Sequence, residues 1–296
     1  MTTPEQYRTS GRITRGVRDV VMESAKPGLG YVDICELVER EIVSRGGAPA
    51  FPTGIGVNHV TAHYAPQEDD ESVFGEGDLL KVDFGVHVEG YVTDTSVTLT
   101  FNPEYELLAE ATRSALSAAV ETVKKDQRVG EIGRAILREA NRFGFKTIQN
   151  LTGHTVERYV VHAGKSIPNL YVPNMPSLKK GEVFAIEPFL TLSSAAGYVV
   201  DTASVTIYSL AVRKITGVKG LDEFVSRIWE ERKTLPFTPR WYVAEYGRGK
   251  LDGILKELVR RKVVRSYPIL VEASRKPVAQ FEHTMALEDD GLVVLT

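Results

Sequence analysis

Lys81-Val82-Asp83-Phe84-Gly85-Val86-His87-Val88-Glu89-Gly90-Tyr91-Val92-Thr93-Asp94-Thr95-Ser96-Val97-Thr98-Leu99 decides how the rest of the chain is understood. Leu80, Val82, Phe84 and Val86 alternate with Lys81, Asp83 and Gly85, the period of a half-buried strand. Tyr91 to Phe101 is a second run, rich in β-branched residues. The pattern predicts a β-hairpin that turns near His87-Val88-Glu89-Gly90, with Gly90 supplying unusual backbone angles. A hairpin symmetric about Val88 and Glu89 puts Asp83 directly opposite Asp94. Cross-strand partners lie roughly 5 Å apart at Cβ, and like charges there repel. A divalent cation between them would turn repulsion into ligation. Two solvated aspartates on an exposed face are the alternative, and the remaining residues must decide.

The chain has 296 residues, 43% hydrophobic and 25% charged, which is ordinary globular usage for one large domain or two. A net charge of −3 gives no whole-molecule signal for nucleic acid. The single cysteine, Cys35, rules out an intramolecular disulfide and a cysteine-rich metal cage. It falls in the apolar pattern Val32, Cys35, Val38, Ile42 and is expected in the core. The first residues are polar and basic, and no run of about 18 apolar residues occurs, so a soluble intracellular, cytoplasmic protein is expected.

Helices are predicted over 4–25 and 33–45, the first closed by Lys26-Pro27-Gly28, the second by Gly46-Gly47. After the hairpin, helices over 106–124 and 130–143 repeat that order. Strands are predicted over 155–162, 183–192 and 198–207, with 278–287 and 291–295 closing the chain. Two helices followed by strands, twice, suggests a duplication. At an offset of 98, Asp33-Ile34 meets Glu131-Ile132, Arg40-Glu41 meets Arg138-Glu139, and Gly46 meets Gly144. The fold class expected is α+β, with two similar halves and the active site between them. Residues 210–268 break the pattern. They carry 14 Lys and Arg against 7 Asp and Glu, and they predict helices over 221–234 and 251–263. This is expected to be an inserted helical subdomain, with 1–209 and 269–296 forming the catalytic domain. Arg260-Arg261-Lys262 is either a helix end favoured by the helix dipole or part of a patch for a nucleic-acid-rich partner.

His154, His162, Glu187 and Glu282 each stand in largely apolar sequence. Singly, each could be a hydrogen-bonded core histidine or an exposed strand glutamate. Together the arithmetic changes. Asp83, Asp94, Glu187 and Glu282 offer four negative charges, which two divalent ions would balance, and His154 adds a neutral nitrogen. Carboxylates with one imidazole suit Mn, Fe, Co or Zn and disfavour a closed structural zinc site. His59 stands four residues before His63, but Val60-Thr61-Ala62 lacks the glutamate of a helical zinc pair and the Pro/Gly context opposes a helix. His87 is expected in the turn, and His283 is expected to point away from Glu282.

Phe51-Pro52-Thr53-Gly54, Ala62-His63-Tyr64, the Asp83 to Asp94 spacing, Gly153-His154, His162-Ala163-Gly164-Lys165, Ala185-Ile186-Glu187 and Ala279-Gln280-Phe281-Glu282-His283-Thr284 follow one another along the chain. In that order they resemble the methionine aminopeptidases, most closely the type 2 branch, of the pita-bread metallopeptidase superfamily. The resemblance spans nearly the whole chain, and residues 210–268 look like the insertion that marks type 2. It implies a pita-bread fold with pseudo-two-fold halves and removal of the N-terminal methionine from nascent proteins whose second residue is small. It implies two divalent ions (Co, Mn, Fe, Zn or Ni) held by Asp83, Asp94, His154, Glu187 and Glu282, with Asp94 and Glu282 bridging. Glu187 would move the proton of the attacking water. His63 would contact the scissile amide and His162 the carbonyl oxygen. Phe51, Val161, Phe189 and Tyr267 would line the methionine pocket.

Two other readings keep the fold. A proline-specific aminopeptidase or prolidase shares the ligand spacing, but those relatives carry an N-terminal domain for which 62 residues before His63 leave too little chain. A ribosome- or RNA-binding member would have lost the ligands, which are complete here. The basic insertion leaves ribosome docking open as an addition to catalysis. A monomer without membrane attachment is expected.

Overall fold

The computed structural model describes residues 3–296. The first half holds α1 (Glu5–Ser24), α2 (Tyr31–Ser44), β1 (Ala48–Pro49), β2 (Gly54–Val57), β3 (Val60–Ala62), β4 (Leu79–Val88) and β5 (Tyr91–Thr100). The second opens with α3 (Glu106–Thr122), α4 (Val129–Arg142), β6 (Lys146–Thr147), β7 (Thr152–Val156) and β8 (Ser166–Pro168). It continues with β9 (Val183–Ile186), β10 (Phe189–Thr191) and β11 (Val199–Leu210). Then come α5 (Lys219–Arg232), α6 (Val243–Tyr246) and α7 (Arg248–Arg260), followed by β12 (Val264–Glu272), β13 (Val278–Gln280), β14 (Glu282–Glu288) and β15 (Gly291–Val294).

Nine strands build one antiparallel sheet in the order β1-β4-β5-β14-β9-β7-β8, with β2 on β4 and β15 on β14. Two three-stranded sheets, β13-β10-β6 and β11-β12-β3, complete the architecture. Helices α1 to α4 lay their apolar stripes on one face of the large sheet. Val17, Val21, Ile34, Val38, Ala115, Ile132 and Ile136 pack with Val82, Phe84 and Val86 in a single buried cluster. Cys35 is buried in it, and its thiol donates to the Thr53 carbonyl.

The duplication is visible in the elements. α2 and α4 start and end 98 residues apart, as do β1 and β6, and α1 and α3 end 98 apart. Gly46 and Gly144, with φ of 85° and 79°, follow α2 and α4 in the left-handed conformation that suits a helix end.

The hairpin forms, one residue later than symmetry about Val88 and Glu89 predicts. Its last pair is Val88 with Tyr91, and Glu89 and Gly90 both carry positive φ, the two-residue turn that matches strand twist. Asp83 therefore faces Ser96, and Asp94 faces Gly85. The two aspartates are diagonal neighbours on one face, not a direct pair. His87 lies in β4 opposite Val92, not in the turn, and its Nδ1 accepts from the Gly90 N–H.

Other strands are shorter than the apolar runs suggest. The run predicted over 155–162 begins earlier, as β7, and ends at Val156, where the chain reverses through Tyr159 at φ 61°. The run 183–192 splits at Glu187-Pro188, because proline has no N–H for the ladder. Residues 278–287 split at Phe281. The sequence reading contained no strand at β12. This strand pairs with β11 from Leu210–Val264 to Val199–Glu272, so a boundary at residue 268 falls inside it. Helices α5 to α7 leave the sheet at Leu210 and return at Val264, the residue paired with it, and they share a separate apolar cluster around Phe224, Ile228, Phe237, Leu251 and Leu258. Among the described residues, no helix is long and apolar enough to cross a membrane.

Candidate metal centre

β4, β5, β14, β9 and β7 lie side by side. Asp83 comes from β4, Asp94 from β5, Glu282 from the first residue of β14 and His154 from β7. Glu187 follows the last residue of β9, where Pro188 breaks the ladder and frees the carboxylate to turn inward. His154 Nε2 lies 3.5 Å from Asp94 Oδ2 and 3.6 Å from Glu187 Oε1. Donor atoms of Asp94, His154 and Glu282 all fall within 4.8 Å of one another. Gln280, absent from the residues singled out in the sequence, ties in the rest. Its side-chain amide faces Asp83 Oδ2 at 3.4 Å, Glu187 Oε2 at 3.3 Å and Glu282 Oε2 at 3.5 Å. Its position two residues before Glu282 was the available signal.

The donors fit a metal. Asp83 Oδ1, Asp94 Oδ1, Glu282 Oε1 and His154 Nδ1 are buried without a hydrogen-bond partner. Orphaned acceptors in a low-dielectric site are costly. Burial pushes Asp83, Asp94, Glu187 and Glu282 above the usual carboxylate range, and the mutual repulsion among them pushes Asp83, Glu187 and Glu282 further. A divalent cation supplies the missing positive charge and the missing partners together. Burial also lowers the His154 imidazole to about 4, which keeps its lone pair free at neutral pH. Oxygen donors with one nitrogen match a first-row divalent ion.

Two histidines approach from outside this set. His63 has a positive φ of 64°, an uncommon conformation for a residue with a Cβ, and one that turns its ring into the cavity. Its Nδ1 lies 3.2 Å from the Pro268 carbonyl, so Nδ1 carries the proton and Nε2 is left as an acceptor. The His162 ring lies 4.2 Å from that of His154. Burial and then the neighbouring His154 lower the His162 imidazole to about 3, so it stays neutral.

Phe51, His63, Asp83, Asp94, His154, Val161, His162, Glu187, Phe189, Tyr267 and Glu282 all line one cavity of about 240 Å³. Ala62, Asn150, Leu151, Thr152, Ile207 and Pro236 complete it and were not foreseen as lining, because nothing in their local sequence separates them from ordinary loop or strand residues. The Tyr267 hydroxyl lies 2.9 Å from Ser209 Oγ, which fixes its ring beside His63. The structure keeps three histidines away. His59 Nε2 meets Arg275, His87 abuts Tyr159, and His283 Nδ1 meets Thr296 on the opposite side of β14 from the cavity. Lys81, also unforeseen, is buried two residues before Asp83 and donates to the Asn58 and Val278 carbonyls at 3.2 and 2.8 Å. Burial lowers its ammonium to about 7.

Comparison with known proteins identifies relatives of the whole chain. The sequence is 40% identical to the methionine aminopeptidase of Pyrococcus horikoshii over 288 residues, covering 97% of each chain. The fold matches a thermophilic Arx1 with a TM-score of 0.81 at 19% identity, over 98% of this chain and 89% of that one. It matches the methionine aminopeptidase of Thermotoga maritima with a TM-score of 0.72 at 23% identity, over 100% of this chain and 98% of that one. The model of metallopeptidase family M24 covers residues 5–225. With buried carboxylates and an imidazole gathered at one centre and that coverage, the chain belongs to metallopeptidase family M24.

Proposed function

We propose that this protein removes the N-terminal methionine from polypeptides whose second residue is small. The observation that carries the reading is the convergence of five metal-type donors on the floor of a cavity walled by Phe51, Val161 and Phe189. Asp83, Asp94, His154, Glu187 and Glu282 would hold the divalent metal, two ions by the charge balance of four carboxylates. Co, Mn, Fe, Zn and Ni all suit the donors. When bound, the ions lower the pKa of water and polarise the scissile carbonyl.

The remaining work falls to side chains. Glu187 takes the proton from the attacking water and passes it to the departing amine. His162, neutral at working pH, donates to the carbonyl oxygen as negative charge grows. His63, with Nδ1 held by Pro268, presents Nε2 to the N–H of the scissile amide. The apolar wall receives the methionine side chain, and the crowded centre leaves room only for a small second residue. The strands and helices up to Leu210 and from Val264 onward form the catalytic unit, and the segment between them a helical unit. Residues 210–268 carry 14 basic against 7 acidic residues, and those of the basic ones that stand at the surface support docking to the ribosome, where nascent chains emerge in the cytosol.

Hydrolysis of Met-Ala-Ser against Met-Leu-Ser, Ala-Ala-Ser and Ala-Pro-Ser by metal-reloaded protein tests the activity. Release of methionine from Met-Ala-Ser alone is expected. Cleavage of Ala-Pro-Ser instead moves the protein to the proline-specific relatives. Co-sedimentation with ribosomes that declines as salt rises tests the docking.

A further inference from the structure

We infer that Arg232 is a positioning residue that sets the width of the side-chain pocket by clamping together two neighbouring parts of its lining, one from each unit of the chain. This rests on the aminopeptidase reading above and names what shapes the same pocket. Arg232 is the last residue of α5 and is 7% exposed. One guanidinium nitrogen, Nη2, donates to the Ala50 carbonyl at 3.2 Å and to the Pro236 carbonyl at 2.9 Å. The guanidinium stacks 4.8 Å from the Trp241 ring centroid, and Trp241 Nε1 in turn donates to Glu39 at 2.9 Å. Burial lowers the Arg232 pKa to about 10, so the group stays charged.

Those two carbonyls belong to neighbouring parts of the pocket lining, one from each unit of the chain. Ala50 precedes Phe51, whose ring lines the cavity and lies so close to β4 that a Cβ at Gly85 would come within 2.3 Å of it. Pro236 lines the cavity from the helical side. Its neighbour Leu235 packs with Ala50, Val92 and Val161, with Phe51 and Tyr159 against them. The loop between Arg232 and Pro236 is bent sharply, with Lys233 at φ 55° and ψ −110°, and the Thr234 hydroxyl bonds the Tyr159 carbonyl. A buried cation held by two carbonyl dipoles and a ring, with its Nε left without a partner, is an expensive way to join two segments, and a well-packed hydrophobic residue often stabilises such a site better. Geometry is what the cation adds: it fixes how far Pro236 stands from Phe51.

Arg232→Met keeps an unbranched apolar stem, two atoms shorter than that of arginine, but cannot donate or stack a guanidinium on Trp241. The variant is expected to raise KM for Met-Ala-Ser and to lower the preference for Met-Ala-Ser over Leu-Ala-Ser about 10-fold, the range that side-chain shape alone commands in an apolar pocket. Metal content and kcat should stay within about two-fold of the parent, because the clamp touches no reacting atom. Arg232→Lys, which keeps the charge and a donor one bond shorter, should restore part of the preference. An unchanged Met-to-Leu preference in Arg232→Met overturns the clamp, whatever happens to the thermal midpoint. Equal losses in the Met and Lys variants also overturn it. The parent is assayed in parallel: if it releases no methionine, the aminopeptidase reading itself has failed.

Discussion

The two halves of the large sheet use one frame for different ends. Outward from the central β5–β14 pair, the sheet runs through β4 to β2 on one side and through β9 to β7 on the other. Gly56 of β2 and His154 of β7 stand 98 residues apart, the same displacement as α2 and α4. Gly56 pairs with Lys81, and His154 pairs with Ala185. Large and small have changed places. In the first half a glycine makes room for a buried ammonium, and a Cβ at Gly56 would come within 2.6 Å of Lys81 Cε. In the second half an alanine makes room for the imidazole. Two residues beyond each partner stand Asp83 and Glu187, an acid in both halves. The frame therefore yields an acid on both sides but an imidazole on only one. This accounts for an odd number of donors in a duplicated fold.

Removing the donors next to the central strand pair should break the comparison most severely. Asp94→Asn or Glu282→Gln should reduce turnover to background and bring bound metal below two ions per chain. Normal activity in either variant would mean that the central acids do not hold the metal. His162→Ala comes next. A fall in kcat of about 10²-fold with full metal content is expected, the scale of one lost transition-state donor. Loss of metal there would make His162 a donor and even the count. Gly56→Ala tests the size exchange in the first half. The new methyl meets the Val60 carbonyl, 2.7 Å from an ideal Cβ, and should cost about 1–3 kcal/mol in urea unfolding without loss of metal. Native stability in that variant would show that Lys81 and the β2–β3 turn yield easily.

The smallest effect concerns pH. Burial, with Arg232 nearby, lowers His87 from 6.5 to about 4. Below the ordinary imidazole pKa the unfolded chain takes a proton that the folded chain refuses. Stability from this group is therefore present above about pH 6.5 and fades as pH falls toward 4. About 1 kcal/mol should go between pH 6.5 and 5.5. His87→Phe should flatten that part of the stability profile, as followed by the urea midpoint. An unchanged slope would move the acid sensitivity to His154 and the other half.

Much of this was legible in the sequence. The helices arrive where the periodicity puts them and the hairpin one residue later. Asp83, Asp94, His154, His162, Glu187 and Glu282 stand out by their local contexts, His63, Phe51, Val161, Phe189 and Tyr267 by the resemblance, and all eleven line one cavity. What was not legible depends on pairing. Register follows from backbone angles at Glu89 and Gly90, and Glu89 has no composition that announces a left-handed turn. β12 was missed because Pro268 interrupts its apolar run, and only its pairing with β11 identifies it as a strand. Gln280 and Lys81 look like ordinary polar strand residues until the sheets close around them. Pro236 reaches the pocket, with Arg232 behind it, from a segment set apart by its charge.

The adjacency of Leu210 and Val264 has a consequence for the history of such a chain. Because the strands on either side are already hydrogen-bonded, material spliced between them need not be spanned or stretched, and its length can change without shifting the register of the catalytic strands. A tight turn in its place would leave the five donors where they are, but Pro236 and the cation behind it would go with the removed segment. The donors and most of the pocket wall thus lie in one part of the polypeptide and a single piece of that wall, Pro236, in another whose length can vary separately.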